Sequence, residues 1–430
     1  MPVSLQTLLD AAPYLSDLYA RHGAWFGAAI DAPDAGLAAE LDRLRDAGRD
    51  LAAEDDLSRE LRIGKGRLAL LAAAAECLGH WTTAQSTAAL SDLADAALSA
   101  GLDFHLRQAR DKGQLQGGVA NSGLVLFALG KHGGRELNYS SDIDIVAFFD
   151  TRRMQVSDPS EATKLFTRIV QRVANLMQDR TAAGYVFRTD LRLRPDPGST
   201  PVALSMDAAL AYYESRGQNW ERAAWIKARP AAGDIAAGEG FLKELAPYVW
   251  RKHLDFATIA DIQAMKRQIN ITKNVGAVRV EGHNVKLGLG GIREIEFFTQ
   301  TQQLIAGGRD LSLRVKPTAE ALAALARASW ISPKTASDLT EAYWWLRAVE
   351  NRLQMREDQQ THVMPEAPDE IGRIGVMMGE PDQAAFEARY RATLNLVVGY
   401  YAELFAEGET LGTGSGGRRA PRRARCDTSR

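Results

Sequence analysis

The chain is short of several things, and each shortage closes off a class of protein. Only two of its 430 residues are cysteines, Cys77 and Cys426, far apart and outside any Cys-x-x-Cys pattern. That excludes a disulfide framework or a thiolate zinc site and suits a reducing compartment. The seven histidines are scattered without ligand spacing, which argues against zinc on imidazole. Neither sign of charge prevails: 52 Lys and Arg against 54 Asp and Glu leave a net charge of −2. A surface coated in nucleic acid is therefore not expected, a local basic patch aside. Long apolar runs are also missing. The longest, LALLAAAAECLGHW from Leu68, is Ala-rich and too short to span a bilayer. The first residues, MPVSLQTLLDAAPYL, lack a basic start ahead of an apolar core, so no export signal is read. The expectation is a soluble, cytoplasmic protein with neither membrane nor nucleic acid as partner.

What is present changes character along the chain. Residues 1–115 are rich in Ala, Leu, Arg, Asp and Glu at helical spacing, with Gly36, Gly48 and Gly64 as expected breaks. From about Gly117 the pattern switches. GLVLFALG reads as a buried strand ending at Gly130, and DIDIVAFFD as a second strand. Pro159 to about Asp179 returns to helix, with Leu165, Ile169, Val173 and Leu176 on one face. YVFRTDLRLRP alternates up to Pro195 and reads as a third strand. After the loop PDPGSTPVALS the chain is again helical to about Phe405. The expected fold class is α+β: a mixed-sheet core over 116–235, a helical segment over 1–115 before it and a helical domain over 236–408 after it. Residues 409–430, Gly, Ser and Arg without periodicity, are expected to be disordered, as a solvated linker rather than a nucleic-acid arm.

The chemistry concentrates in GKHGGRELNYSSDIDIVAFFD, Gly130 to Asp150. Residues two apart on a strand share a face, so Asp142 and Asp144 project together while Ile143 and Ile145 face the core. Two carboxylates so placed can share a divalent cation; magnesium takes one or two and leaves its other positions to water and phosphate oxygens. Gly133 and Gly134, lacking Cβ atoms, let backbone N–H groups approach a phosphate. On the third expected strand Arg188, Asp190, Arg192 and Arg194 share a polar face, giving a third acid beside guanidiniums that suit phosphate. The competing reading is a turn followed by solvated strand ends with ordinary ion pairs.

GKHGGRELNYSSDID resembles the nucleotidyltransferase core of the glutamine synthetase adenylyltransferase/adenylyl-removing enzymes. The likeness continues in order through FRTDLRLRPDPGSTPVALS, YYESRGQNWERAAWIKARPAAGD and NVKLGLGGIREIEFFTQ, from about Gly117 to Gln303. It extends more loosely through YWWLRAVENRLQMREDQQTH to about Gln360. His132 stands where the family has an aliphatic residue. Members carry two catalytic halves: the first removes AMP from a tyrosine of glutamine synthetase by phosphorolysis, and the second attaches it. ESRGQNWERAAWIKAR and GLGGIREIEF resemble the first half, and no second glycine loop with Asp-x-Asp follows in these residues.

The resemblance implies a nucleotidyltransferase whose partners are adenylylated glutamine synthetase, inorganic phosphate, ADP and the PII signal protein, with Mg²⁺ or Mn²⁺ as cofactor. Asp142, Asp144 and Asp190 become the catalytic, metal-holding acids. Gly133, Gly134, Ser141, Lys131, Arg192, Arg194 and Lys227 become candidates for phosphate or nucleotide; each cation equally suits a plain ion pair. Trp220 and Trp225 read as core in preference to an adenine platform. Gly290 and Gly291 open a helix with Ile292, Ile295 and Phe298 inward and Arg293, Glu294 and Glu296 more exposed; its start suits a phosphate or a simple cap. The alternatives are a regulatory module that binds PII or glutamine synthetase without chemistry, and an ATP-dependent enzyme that adds AMP.

Overall fold

Five helices carry the first quarter of the chain: α1 (Leu5–Ala11), α2 (Pro13–Ile30), α3 (Pro33–Asp50), α4 (Glu54–Cys77) and α5 (Thr83–Asp111). They belong to a computed structural model that describes residues 3–251 and 279–411. Capping chemistry sets their starts. Ser4 caps α1, prolines open α2 and α3, and Thr82 with Gln85 forms a capping box on α5. The expected breaks at Gly36, Gly48 and Gly64 are not breaks, because all three lie inside helices. They are contact points instead. A Cβ on Gly48 would lie 2.4 Å from the Ala100 backbone, and one on Gly64 would lie 2.7 Å from Leu44. The Ala-rich run from Leu68 is buried all round, as the central helix of this bundle. No described helix is long and apolar enough to cross a membrane.

The sheet follows. Strand β1 (Leu124–Ala128) leads through the one-turn helix α6 (Gly130–Gly133) to β2 (Ile143–Phe149), which pairs antiparallel with β1. Helix α7 (Ala162–Gln178) crosses to β3 (Thr189–Asp190), and β4 (Ala203–Ser205) follows; both run parallel to β2. Helices α8 (Met206–Ser215) and α9 (Asn219–Trp225) then lead to β5 (Arg229–Gly233), antiparallel to β1 on its other side. The central strands are apolar on both faces. Leu124, Leu126, Ile143, Ile145 and Phe149 pack with α5 and α7. Val125, Phe127, Val146 and Phe148 pack with Trp225 and with Phe241 of α10 (Ile235–Val249). Polar side chains are thereby confined to the strand ends, where the acids are.

The third strand is two residues rather than eleven. Val186 and Phe187 give their N–H groups to the Met177 carbonyl at the end of α7. Past Asp190 the chain turns, with Arg194 bound to the Leu191 and Pro197 carbonyls. The alternation of Leu and Arg there serves a stapled loop, not a ladder.

The helical remainder comprises α11 (Ile292–Ala306), α12 (Thr318–Arg327), α13 (Pro333–Met355), α14 (Pro368–Met377) and α15 (Gln383–Leu411), around Ile295, Tyr343, Leu346, Phe386 and Tyr390. The tail expected from residue 409, beyond Leu411, and Cys426 lie outside the described residues. The second half of α13 is buried all round and carries polar residues among the apolar ones. Glu350 meets Lys131 at 2.8 Å and lies 3.1 Å from Arg347, which donates to the Glu136 carbonyl. Arg352 pairs with Glu76 of α4, and Asn351 bonds Glu76 and Asn138. Glu136 in turn takes Lys227 at 2.6 Å and the Thr318 N–H at 2.7 Å.

Two predictions follow from this packing. Glu136→Ala strands Lys227 in the interior and lowers stability by about 3–5 kcal/mol, read as a fall in the urea midpoint. Gly48→Ala forces α3 away from α5 at a cost of about 1–3 kcal/mol, whereas Gly27→Ala, with nothing within 4 Å of the new methyl, raises the midpoint. Shifts of the same sign in the two glycine variants would contradict the close-contact reading.

Candidate active site

The acids are positioned by strand register. In the parallel β2–β3 ladder Asp144 lies directly opposite Asp190, and Asp142 precedes β2 on the same chain. Asp144 is half-buried. Burial first, then the charges of Asp190 and Asp142, push its pKa up to about 6. Asp190 is held below the usual carboxylate range by Arg192, whose Nε lies 3.0 Å from it, with burial opposing. Asp142 accepts from Gln360 and lies 3.6 Å from Arg188. The glycine that matters most to these acids is Gly130. Its φ is +54°, and a Cβ there would lie 2.5 Å from Asp144 Oδ2.

Beside Asp144 opens a cavity of about 350 Å³. Gly130, Lys131 and Asp144 form one wall; Trp220, Ala224 and Lys227 form a second; Lys286, Arg293 and Glu296 form a third. Lys131 is half-buried against Glu350 and Asn138. Burial, only partly offset by Glu350, brings its pKa down to about 8. Lys227 keeps a pKa above that of an ordinary lysine: burial opposes its charge, but Glu136 and Glu296 prevail. Glu296 answers in kind, lowered by Lys227 and Lys131 against the effect of its own burial. Lys286 and Arg293 are joined through the backbone, since the Arg293 N–H donates to the Lys286 carbonyl at 3.0 Å. Both cations thus line the cavity with Asp144, and among the described residues neither has a carboxylate within ion-pair distance.

The expected site residues divide accordingly. Asp144, Lys131 and Lys227 meet at the cavity, with Asp142 and Asp190 beside Asp144. Ser141 is half-buried between Ser140 and Asp142 and does not line it. Gly133 and Gly134 are also away from the cavity. Gly133 lies against the Lys227 and Ala128 carbonyls and Gly134 against Glu136, so their missing Cβ atoms permit backbone packing. Arg192 is spent on Asp190 and Arg194 on loop carbonyls. Trp225 is core, but Trp220 is 49% exposed and lines the cavity. The start of α11 is capped from within, Glu294 accepting the Gly290 N–H at 3.2 Å, and Glu294 is buried where exposure was expected. Sequence reasoning passed over Gly130, Lys286, Arg293 and Gln360 as site residues. The one available signal was that Lys286 and Arg293 flank the second glycine pair.

A divalent cation fits the acids by their chemistry, with hard oxygens on paired strands whose mutual repulsion positive charge would relieve. It would rest on Asp144 with Asp142 or Asp190. Among the described residues no three His, Cys, Asp or Glu side chains are arranged to enclose a metal ion, so the fit is to a two-carboxylate ligand set rather than a closed cage.

Comparison with known proteins bears on the family of the chain. Residues 3–244 match the glutamate-ammonia ligase adenylyltransferase family, and residues 261–405 match the GlnD PII-uridylyltransferase family. Bifunctional glutamine synthetase adenylyltransferase/adenylyl-removing enzymes are similar: that of Agrobacterium fabrum is 51% identical over 94% of this chain and 42% of its own length. Those of Mesorhizobium japonicum and Brucella suis are 48% and 46% identical over 96% of this chain, and 42% and 43% of their own lengths. The chain thus spans less than half of the relatives it matches. With a family match across more than half its residues, on the sheet that carries the acids, the chain belongs to the glutamate-ammonia ligase adenylyltransferase family.

Proposed function

We propose that this chain removes AMP from an adenylylated tyrosine of glutamine synthetase by phosphorolysis, releasing ADP. The observation that carries the reading is the cavity itself, where Asp144, able with Asp142 or Asp190 to hold a cation, shares one lining with the cations Lys131, Lys286 and Arg293. Two anions, inorganic phosphate and the adenylyl phosphate, must meet in such a reaction. Positive charge fixed in place relieves their repulsion and aligns them. An oxygen of inorganic phosphate bonds to the α-phosphorus while the bond to the tyrosine oxygen breaks. The phenolate, with a conjugate pKa of about 10, then takes up a proton. No strong base is needed, because the nucleophile is already an anion. Bound magnesium would supply further charge neutralisation at the α-phosphate.

Trp220, exposed on the cavity wall, offers a ring face to the adenine. The choice of removal over addition rests on GLGGIREIEF, which supplies Arg293 and Glu296 to the cavity wall, and on the lie of the match in the amino-terminal half of its relatives. The likeness of residues 261–405 to a PII-uridylyltransferase supports this segment as the contact for PII.

Purified chain, incubated with adenylylated glutamine synthetase, magnesium, phosphate, uridylylated PII and 2-oxoglutarate, is expected to form ADP in proportion to phosphate. Absence of phosphate-dependent ADP would sink the proposal, and AMP incorporation from ATP would reverse its direction. Asp142→Asn with Asp144→Asn is expected to lower turnover at least a thousandfold without lowering the melting temperature, since a repulsive cluster is relieved. Trp220→Ala is expected to weaken ADP binding about tenfold, within the range of one base stacked on an aromatic ring; unchanged calorimetric affinity would remove the ring from the nucleotide site.

A further inference from the structure

A second cleft, of about 800 Å³, opens between α2, α4, the turn at 180–185 and the loop at 357–359. None of the residues assigned to the active site lines it. At its base Lys65 projects from α4, 3% exposed. Its Nζ makes no hydrogen bond of good geometry: it faces the Tyr14 side chain and pairs at 3.6 Å with Asp358, which lines the cleft together with Glu357. Burial opposes the charge, but Asp358 and then Tyr14 and Tyr185 hold its pKa above that of an ordinary lysine, so it remains an ammonium at neutral pH. Tyr14 and Tyr185 wall the cleft, with Lys65 Nζ 5.8 and 6.0 Å from their ring centres. Arg180 lies over the Tyr185 ring at 5.0 Å and, with Arg21, stands at the exposed rim.

A buried ammonium met only by a long ion pair and a neighbouring tyrosine is under-satisfied, and a closer acceptor would stabilise it. Two guanidiniums at the mouth add charge of the same sign. We propose that this cleft is a second binding site that takes a small polyvalent anion, bearing phosphate or carboxylate groups, on Lys65 beneath Arg21 and Arg180. The volume suits a metabolite rather than a lone ion.

Occupancy would be felt at the acids. Asp358 accepts from Ser140 Oγ at 2.9 Å, and that oxygen lies 3.2 Å from Tyr185 Oη. Arg188 donates to Tyr185 Oη at 3.1 Å and reaches Asp142 at 3.6 Å, while Gln360, two residues past Asp358, donates to Asp142. An anion that draws Lys65 from Asp358 perturbs a continuous chain of contacts ending on Asp142. This coupling rests on the proposed active site; the binding site does not.

Calorimetric titration of the full 430-residue chain with pyrophosphate and, separately, citrate, both in EDTA, tests the site. Saturable binding of at least one anion is expected, weakened tenfold or more by Lys65→Met and by Arg180→Gln and retained in Lys286→Gln, which alters only the active-site cavity. Pyrophosphate alone identifies phosphate as the group recognised, and citrate alone identifies carboxylate. No saturable binding of either, binding that survives both cleft variants, or binding lost in Lys286→Gln overturns the proposal. Should Lys65→Met fail to fold, Arg180→Gln on the rim carries the test. In the ADP-release assay the binding anion should change the rate for the parent chain and not for Arg180→Gln. Equal responses would overturn the coupling and leave the site. A chain without activity would speak against the proposed function, with the calorimetry still standing.

Discussion

Arg347, Glu350, Asn351 and Arg352 lie in the part of α13 that is buried all round and are withdrawn from water, and a buried charge is tolerable only where a partner meets it. The partners come from three distant stretches: Glu76 from the first helical bundle, Lys131 and the Glu136 carbonyl from the segment between β1 and β2, and His362 from just beyond α13. Apolar faces tolerate a slip of a residue or two, since one methyl contact replaces another. Ion pairs and oriented amides do not. The helix therefore fixes the bundle, the sheet and the last helices in a single mutual register, a specificity that hydrophobic burial alone does not give.

That register is what gives the cavity both signs of charge. Lys131 and Lys227 are held by Glu350 and Glu136 before any ligand arrives, so their placement costs nothing at the moment of binding. Lys286 and Arg293 are held by backbone geometry at the start of α11 and keep their charge for a ligand. Beside the cavity the β2–β3 ladder crowds Asp144 against Asp190. Acids that repel and cations that are committed elsewhere both suit a site built for a bound cation and an anionic substrate together.

Much of this was legible in the residues. The α+β class, the strands at β1 and β2, the inward face of α7 and the family likeness all follow from periodicity and motif. The clustering of the acids was legible because residues two apart at the start of a strand share a face. What failed was physics that works at a distance. Gly48 reads locally as a helix breaker, and only the arrival of Ala100 shows it as a contact. Alternating Arg and Leu after Asp190 read as a strand because the sequence does not show that Arg194 turns back onto carbonyls of its own loop. The GlyGly of the motif reads as a phosphate cradle, and what the sequence does not show is the close approach of the Ala128 and Lys227 carbonyls to Gly133. Gln360 could not be placed at all, and Lys286 only by its nearness to the second glycine pair, since both reach the site through packing of the last helices.

Gly130 and Asp144 end as a single unit of information. The carboxylate oxygen occupies the volume that any side chain at position 130 would need. A larger residue at 130 would push this carboxylate from its place beside Asp190, while the backbone ladder itself would stay as it is. The residue allowed at position 130 is thus set by a side chain fourteen positions later.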